Sequence, residues 1–206
     1  MRLFLEYLLR FAAFTAIGCI VTGFMIKSMR KQEFRVETRL CLSLTVFACG
    51  CLFCRSAYDL EYLSVGLALY AVLLYASTED ITFHKAENWL SVMILMLGVA
   101  QIIPEDLPLR LMAAAVVFIP QELIALSTKK KGISIGGADM KISTAAAFLL
   151  GLSRGVIAYM LGLFIAIVSE LIRGAVRAHK SGEKCAAQPF PLIPYLSVGI
   201  LIGYIL

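Results

Sequence analysis

Charged residues are scarce in this sequence. Lys, Arg, Asp and Glu make up 16% of the 206 residues, against about 25% in an average soluble domain. Hydrophobic residues make up 60% and occur in long runs. This composition excludes a disordered chain, a soluble nucleic-acid-binding protein and a secreted disulfide scaffold. The class that remains is a polytopic helical membrane protein, in which the net charge of +5 is no signal for nucleic acid.

The sequence also lacks a recognisable set of metal ligands. It has only two histidines, and five of its six cysteines lie inside apolar runs. Cys51 and Cys54 form a CxxC pair, but there is no second pair and no His cluster nearby. We therefore predict cysteines that are buried within spans, with no metal site and no cofactor.

Eight apolar runs fit into the chain, since a membrane span requires about 20 mostly apolar residues. The first continues to Ile26, which favours a retained span over a signal peptide. A tight break is predicted at Ser153-Arg154-Gly155. The runs cover approximately residues 8–26, 40–53, 62–76, 89–103, 109–126, 142–152, 156–172 and 192–206.

This pattern predicts an all-α polytopic membrane bundle of about eight transmembrane helices. The whole chain, 1–206, is expected to form a single domain. Residues 1–60 would supply the N-terminal spans and a short basic loop, and residues 61–206 would form the core. No internal repeat is evident, which disfavours a transporter built from inverted repeats.

Basic residues cluster in the loops after spans one, five and seven, and Lys85 follows span three. All of these loops fall on the same side of the membrane. The turns on the other side hold few basic residues, such as Arg55 and Arg154. Because cytoplasmic loops retain Lys and Arg, we predict a multi-pass plasma (inner) membrane protein with both termini outside.

Two acidic residues stand out at the ends of spans. Asp80 closes the third run, and Asp139 opens the sixth, directly after Gly136-Gly137. Two crossings separate them, so both carboxylates should lie at the same depth on the cytoplasmic side. Placing a carboxylate close to a membrane costs free energy, so such a residue usually has a function or an interacting partner.

A close pair of carboxylates has a specific chemistry, because both cannot ionise easily and one pKa is pushed up. The ionised member can take a proton from water while the protonated member donates to a peptide carbonyl. Gly136 and Gly137 would let the backbone approach a helix or an extended substrate, and Lys141 could hydrogen-bond a carbonyl. The alternative is that each Asp is a solvated residue at a helix end.

Three motifs resemble those of the type IV prepilin peptidases, a family of membrane aspartic peptidases. Residues 136–142, Gly-Gly-Ala-Asp-Met-Lys-Ile, resemble the GxGDxKL signature. Asn88 lies eight positions after Asp80, the same spacing as in the family's first motif. Gln188-Pro189-Phe190-Pro191 resembles the Pro-Phe-Gly-Pro that opens the last helix. The matches follow the family order over roughly residues 77–206.

The resemblance implies an endopeptidase that cleaves the leader of a pilin, pseudopilin or preflagellin at the cytoplasmic membrane face. Such enzymes serve type IV pilus assembly and protein secretion. The expected partners are this prepilin-like substrate and membrane lipid, with no nucleic acid and with the oligomeric state left open. The implied site residues are Asp80 and Asp139 as catalytic, and Gly136, Gly137, Lys141 and Asn88 as substrate-binding or supporting.

The sequence departs from the family pattern at several positions. Ala86-Glu87 replaces the Ile-Pro of the first motif, and Ala138 replaces the second glycine of the GxGD signature. The cytoplasmic segment with paired CxxC motifs, which accompanies N-methylation in long family members, is missing. The resemblance therefore implies peptidase activity without methyltransferase activity.

Three alternatives remain. A presenilin-like or signal-peptide-peptidase-like enzyme also uses a GxGD aspartate, but its first Asp usually lies in a Tyr-Asp pair within a span, whereas Asp80 follows Glu79. An ion-coupled transporter would place its acids near the middle of the bilayer. A catalytically inactive scaffold for a pilus or secretion assembly is the third.

Overall fold

The computed structural model describes residues 2–34, 36–129, 136–181 and 190–206. Over these ranges the regular structure is entirely helical, with one short 3₁₀ turn at Pro104–Asp106. The helices are α1 (Arg2–Lys31), α2 (Thr38–Arg55), α3 (Leu60–Phe83), α4 (Asn88–Ala100), α5 (Leu107–Lys129), α6 (Gly137–Leu150), α7 (Leu152–Ser181) and α8 (Ile193–Ile205).

Most of these helices have the length and composition of membrane spans. Five are long and apolar enough to cross a bilayer: α1, α2, α3, α5 with the preceding 3₁₀ turn, and α7. Helices α4 and α8 are shorter and also apolar. Large apolar side chains such as Phe24 and Phe164 are exposed on the outside, as expected for a surface in contact with lipid. The prediction of an all-α membrane bundle is thus confirmed.

The best-packed part of the bundle is formed by α3, α4, α6 and α8. Leu69, Leu73, Ile94, Ile142 and Leu196 are almost completely buried there. Helices α1 and α2 pack together beside α3, while α7 packs along α8 and α5 along α6. The central helices carry the acidic motifs, so a rigid scaffold supports the site.

The break between α6 and α7 is not where the sequence predicted it. Gly151 makes the turn, with a φ of 79° that favours glycine, and Ser153-Arg154-Gly155 already belongs to α7. Gly155 serves packing instead, because a Cβ there would lie 2.8 Å from the Cα of Ala147. The prediction of a break at Ser153-Arg154-Gly155 was therefore wrong.

Five cysteines lie on α1 and α2, as the apolar runs predicted, and all five are free thiols. Cys41 and Cys49 are buried, Cys19 and Cys51 are half-buried, and Cys54 is exposed. The prediction of burial was wrong for Cys54, because no helix covers it within the described residues. Cys185 lies outside the described residues.

Candidate active site

Asp80 lies in the last turn of α3 and is buried, with 7% of its surface exposed. Its Oδ2 accepts a hydrogen bond of 3.0 Å from the backbone N–H of Ile193, the first residue of α8. The first amides of a helix have no partner within the helix and carry a partial positive charge. The carboxylate therefore links two helices that are far apart in the sequence, and the amide contributes a favourable electrostatic interaction with its charge.

Glu79 has a similar role at a different helix, which the sequence analysis did not predict. It too is 7% exposed, and its Oε2 accepts a 3.1 Å hydrogen bond from the backbone N–H of Glu87, which precedes α4. Neighbouring helical residues point about 100° apart, so Glu79 and Asp80 reach two separate helix ends. The only signal available was an acidic pair at the end of an apolar run.

Asp139 lies in the first turn of α6 and is half-buried. A Cβ added at Gly136 would lie 2.6 Å from its Oδ2. Glycine at position 136 thus leaves the space that the carboxylate occupies. Gly137 is the first residue of α6 and borders open space, since a Cβ there would meet nothing within 4 Å.

The two aspartates lie near each other without touching. The negative charge of Asp80 is close enough to act on Asp139. No Cα of α3 comes within 8 Å of a Cα of α6, and no hydrogen bond joins the two carboxylates in the part of the chain described. Both carboxylates lie at the same end of the bundle, where Asp80 ends α3 and Asp139 begins α6.

Asn88 and Lys141 bring the two motifs together directly. The Nζ of Lys141 donates a 2.7 Å hydrogen bond to the Oδ1 of Asn88. The bond joins the first residue of α4 to the first turn of α6. The ends of α3, α4, α6 and α8 consequently converge, and the N-termini of three helices each lie beside an acidic side chain.

The third motif is only partly described. Gln188 and Pro189 lie outside the described residues, while Phe190 stacks on Tyr195 with ring centroids 5.1 Å apart. The guanidinium of Arg173 lies 5.8 Å from the Tyr195 ring centroid. These contacts join α7 to the start of α8, close to the segment that Asp80 anchors.

A cluster of three or more His, Cys, Asp or Glu side chains placed to hold a metal ion is not found among the residues that the structure describes. Glu79, Asp80 and Asp139 are instead directed towards separate helix N-termini.

Residues 67–171 match the model of the type IV leader peptidase family. The matched segment contains Asp80, Asn88, Asp139 and Lys141. The chain belongs to the type IV leader peptidase family. The match is to the family model alone, since neither a curated protein nor a solved structure matched. In this type IV leader peptidase, both acidic motifs fall inside the family segment, while the third motif lies after it.

Proposed function

We propose that this protein is an aspartic endopeptidase that removes the leader of a prepilin-like membrane protein. The observation that carries the proposal is that Asp80 and Asp139 lie near each other at one end of the bundle. Each carboxylate lies beside a helix N-terminus, and the charge of one acts on the other. Membership of the leader peptidase family supports the same class of reaction.

In the proposed reaction, the two carboxylates share one proton, because two negative charges held close together are costly. The ionised member takes a proton from a water molecule whose oxygen attacks the carbonyl carbon of the scissile peptide. The protonated member donates its proton to the carbonyl oxygen. When the tetrahedral intermediate collapses, the C–N bond breaks and a proton passes to the leaving amine.

The substrate backbone must be extended where it is cut, because a helix occupies its carbonyls with internal hydrogen bonds. We expect the leader to lie outside the bilayer and the hydrophobic helix of the substrate to enter the membrane beside the bundle. The cut then falls at the membrane boundary.

Charge distribution supports a cytoplasmic position for the site in the plasma membrane. Phe34, in the loop between α1 and α2, packs against Phe83 with ring centroids 5.1 Å apart, so this loop lies at the same end as Asp80. Arg30 and Lys31 end α1 there, and Lys85 follows α3. Basic residues are retained on the cytoplasmic side.

Asn88, Lys141, Gly136 and Gly137 have supporting roles in this proposal. The hydrogen bond between Asn88 and Lys141 fixes the start of α6 relative to α4, and with it the position of Asp139. Gly136 leaves space for the Asp139 carboxylate, and Gly137 begins α6 beside it, where an added methyl group would enter open space.

Co-expression with a prepilin-like substrate tests the function, with the cut position read from the mass of the product. We expect wild type to remove the leader and the double variant D80N/D139N to leave the substrate intact at a matched membrane level. A substrate carrying only the hydrophobic helix, without a leader, serves as the negative control. Release of the leader by the double variant would refute the aspartic mechanism.

Gly136→Ala and Gly137→Ala form a matched pair of tests for the second motif. The added methyl group at position 136 displaces the Asp139 carboxylate, whose Oδ2 it would approach to 2.6 Å. Because a misplacement of about 1 Å can cost roughly a hundredfold in rate, we expect cleavage to fall by about tenfold to a hundredfold. The carboxylate can rotate away, so thermal stability should be kept.

Gly137→Ala should cleave at nearly the wild-type rate, since its methyl group enters open space. Initial rates on the same substrate, with protein levels matched by immunoblot, provide the comparison. Equal rates for the two variants would contradict the role assigned to Gly136.

A further inference from the structure

Two adjoining cavities lie at the end of the bundle opposite the candidate active site. Asp59, at the rim, precedes Asp80 by 21 positions on α3, which corresponds to about 31 Å of helix. One cavity, of about 520 Å³, is lined by polar groups from the start of α3, the segment after α4, and helices α5, α7 and α8. The other, of about 690 Å³, is a more apolar groove between α5 and α7. Arg110 and Arg154 line both.

Arg110 is fixed by the ends of two helices. Its guanidinium donates to the backbone oxygen of Leu149, near the end of α6, at 2.8 Å, and to that of Gln101, after α4, at 3.1 Å. These carbonyls lack a partner within their own helices. Arg110 is therefore held in place with its positive charge at the junction of the two cavities.

Arg154 lies in the first turn of α7, where the helix dipole disfavours a positive charge. Its side chain has no hydrogen bond and no ion pair among the described residues, and it is exposed. It also lies on the side of the membrane where the positive-inside rule disfavours Arg. An anion bound between Arg154 and Arg110 would offset both costs.

The opposite wall of the polar cavity is acidic. Asp59 caps α3 by accepting from the N–H of Tyr62 at 3.0 Å, and Glu61 is exposed beside it. Between the acidic and basic walls, Tyr62 and Tyr204 form a rigid pair, with each hydroxyl donating to the backbone oxygen of the other residue. The cavity thus presents two positive and two negative groups to a single ligand.

We propose that these cavities bind a phospholipid with a primary ammonium headgroup, of the phosphatidylethanolamine type. The phosphate lies between Arg154 and Arg110, where charge-assisted hydrogen bonds form. The ammonium group donates to Glu61 and Asp59. An acyl chain follows the apolar groove along α5 and α7, whose lining includes Leu109, Val156 and Ile157.

The two walls distinguish this lipid from its relatives. A quaternary ammonium headgroup, as in phosphatidylcholine, has no N–H to donate to the carboxylates. A glycerol headgroup, as in phosphatidylglycerol, has no positive charge for the acidic wall. The proposal concerns the opposite end of the bundle and is independent of peptidase activity.

Native mass spectrometry of the purified full-length protein in detergent tests the site. The protein receives equal amounts of phosphatidylethanolamine, phosphatidylcholine and phosphatidylglycerol. We expect wild type to retain the ethanolamine lipid in clear preference, and Arg154→Gln to weaken its binding by about tenfold, the effect of one lost charge-assisted hydrogen bond. Glu61→Gln should remove the preference for ethanolamine over glycerol.

Arg10→Gln is the matched control, because Arg10 lies at the same end of the bundle, over the Tyr58 ring, but lines neither cavity. Three results would overturn the proposal. They are equal lipid loss in the Arg154 and Arg10 variants, equal binding of the choline and ethanolamine lipids, and full displacement of the lipid by an equal concentration of free phosphoethanolamine. The last result would assign the site to a soluble phosphate ester.

Discussion

Replacing either Asp80 or Asp139 by Asn lowers leader cleavage by at least about a thousandfold, within the range that a positioned acid or base contributes to a proton-transfer step. Asn keeps the size of Asp but cannot exchange a proton. Its amide oxygen can still accept from the Ile193 N–H, as the Asp80 Oδ2 does at 3.0 Å. The loss should therefore reflect chemistry, with the fold retained.

Glu79→Gln is the matched control for Asp80→Asn. Glu79 is the neighbouring residue, equally buried, and likewise accepts from a helix N-terminus. Its carboxylate is directed towards the start of α4. We expect this variant to retain most of the cleavage rate, with the amide oxygen accepting from Glu87.

Single-turnover rates on one prepilin-like substrate, with thermal unfolding measured in parallel, distinguish the outcomes. A wild-type rate in either aspartate variant would remove that residue from the catalytic pair. Equal loss in the Glu79 and Asp80 variants would mean that the negative charge of both residues is required, and it would contradict a separate catalytic role for Asp80.

Gly199→Ala gives the largest expected loss of stability. A Cβ at this position of α8 would lie 2.6 Å from the backbone N of Gly162 and would collide with the backbone oxygen of Ala158. Both atoms belong to the main chain of α7, so the helices must separate. Close approach through small residues is a general basis of helix association in membranes. Overpacking of this kind costs about 1–3 kcal/mol.

Gly174→Ala provides the control on α7, since a Cβ there meets nothing within 4 Å. Alanine in a helix is favoured over glycine by about 0.5–1 kcal/mol, so this variant should unfold at the same or a slightly higher temperature. We expect Gly199→Ala to lower the unfolding temperature in detergent by about 3–10 °C. An unchanged temperature would contradict the tight packing of α7 on α8.

Much of the fold could be predicted from the sequence, because long apolar runs in a membrane protein have few alternatives to the helix. The ends of the helices were harder. The run that ends at Ala76 underestimates α3, which continues through Glu79 and Asp80 to Phe83. Acidic residues are typical of a turn when read alone, and here they remain helical because other helices satisfy their carboxylates.

The candidate site could be predicted in outline only. Two membrane crossings separate Asp80 from Asp139, so the sequence indicated that both lie at the same end of the bundle. The family resemblance indicated that Asn88 and Lys141 belong to the same site. The hydrogen bond from Ile193 to Asp80 joins residues 113 positions apart. A contact between residues so far apart cannot be predicted from a local pattern in one sequence. The hydrogen bond between Glu79 and the start of α4 could not be predicted for the same reason.

The hydrogen bond between Asp80 and Ile193 also determines when the candidate active site can form during biosynthesis. At about 5–20 residues per second, the ribosome needs roughly 6–23 s to add the 113 residues that separate the two partners. During that interval α3 is already made, but the carboxylate of Asp80 lacks the amide that holds it. A nascent chain that is interrupted before α8 therefore lacks the backbone amide that binds Asp80. The candidate active site can be completed only when synthesis has reached α8.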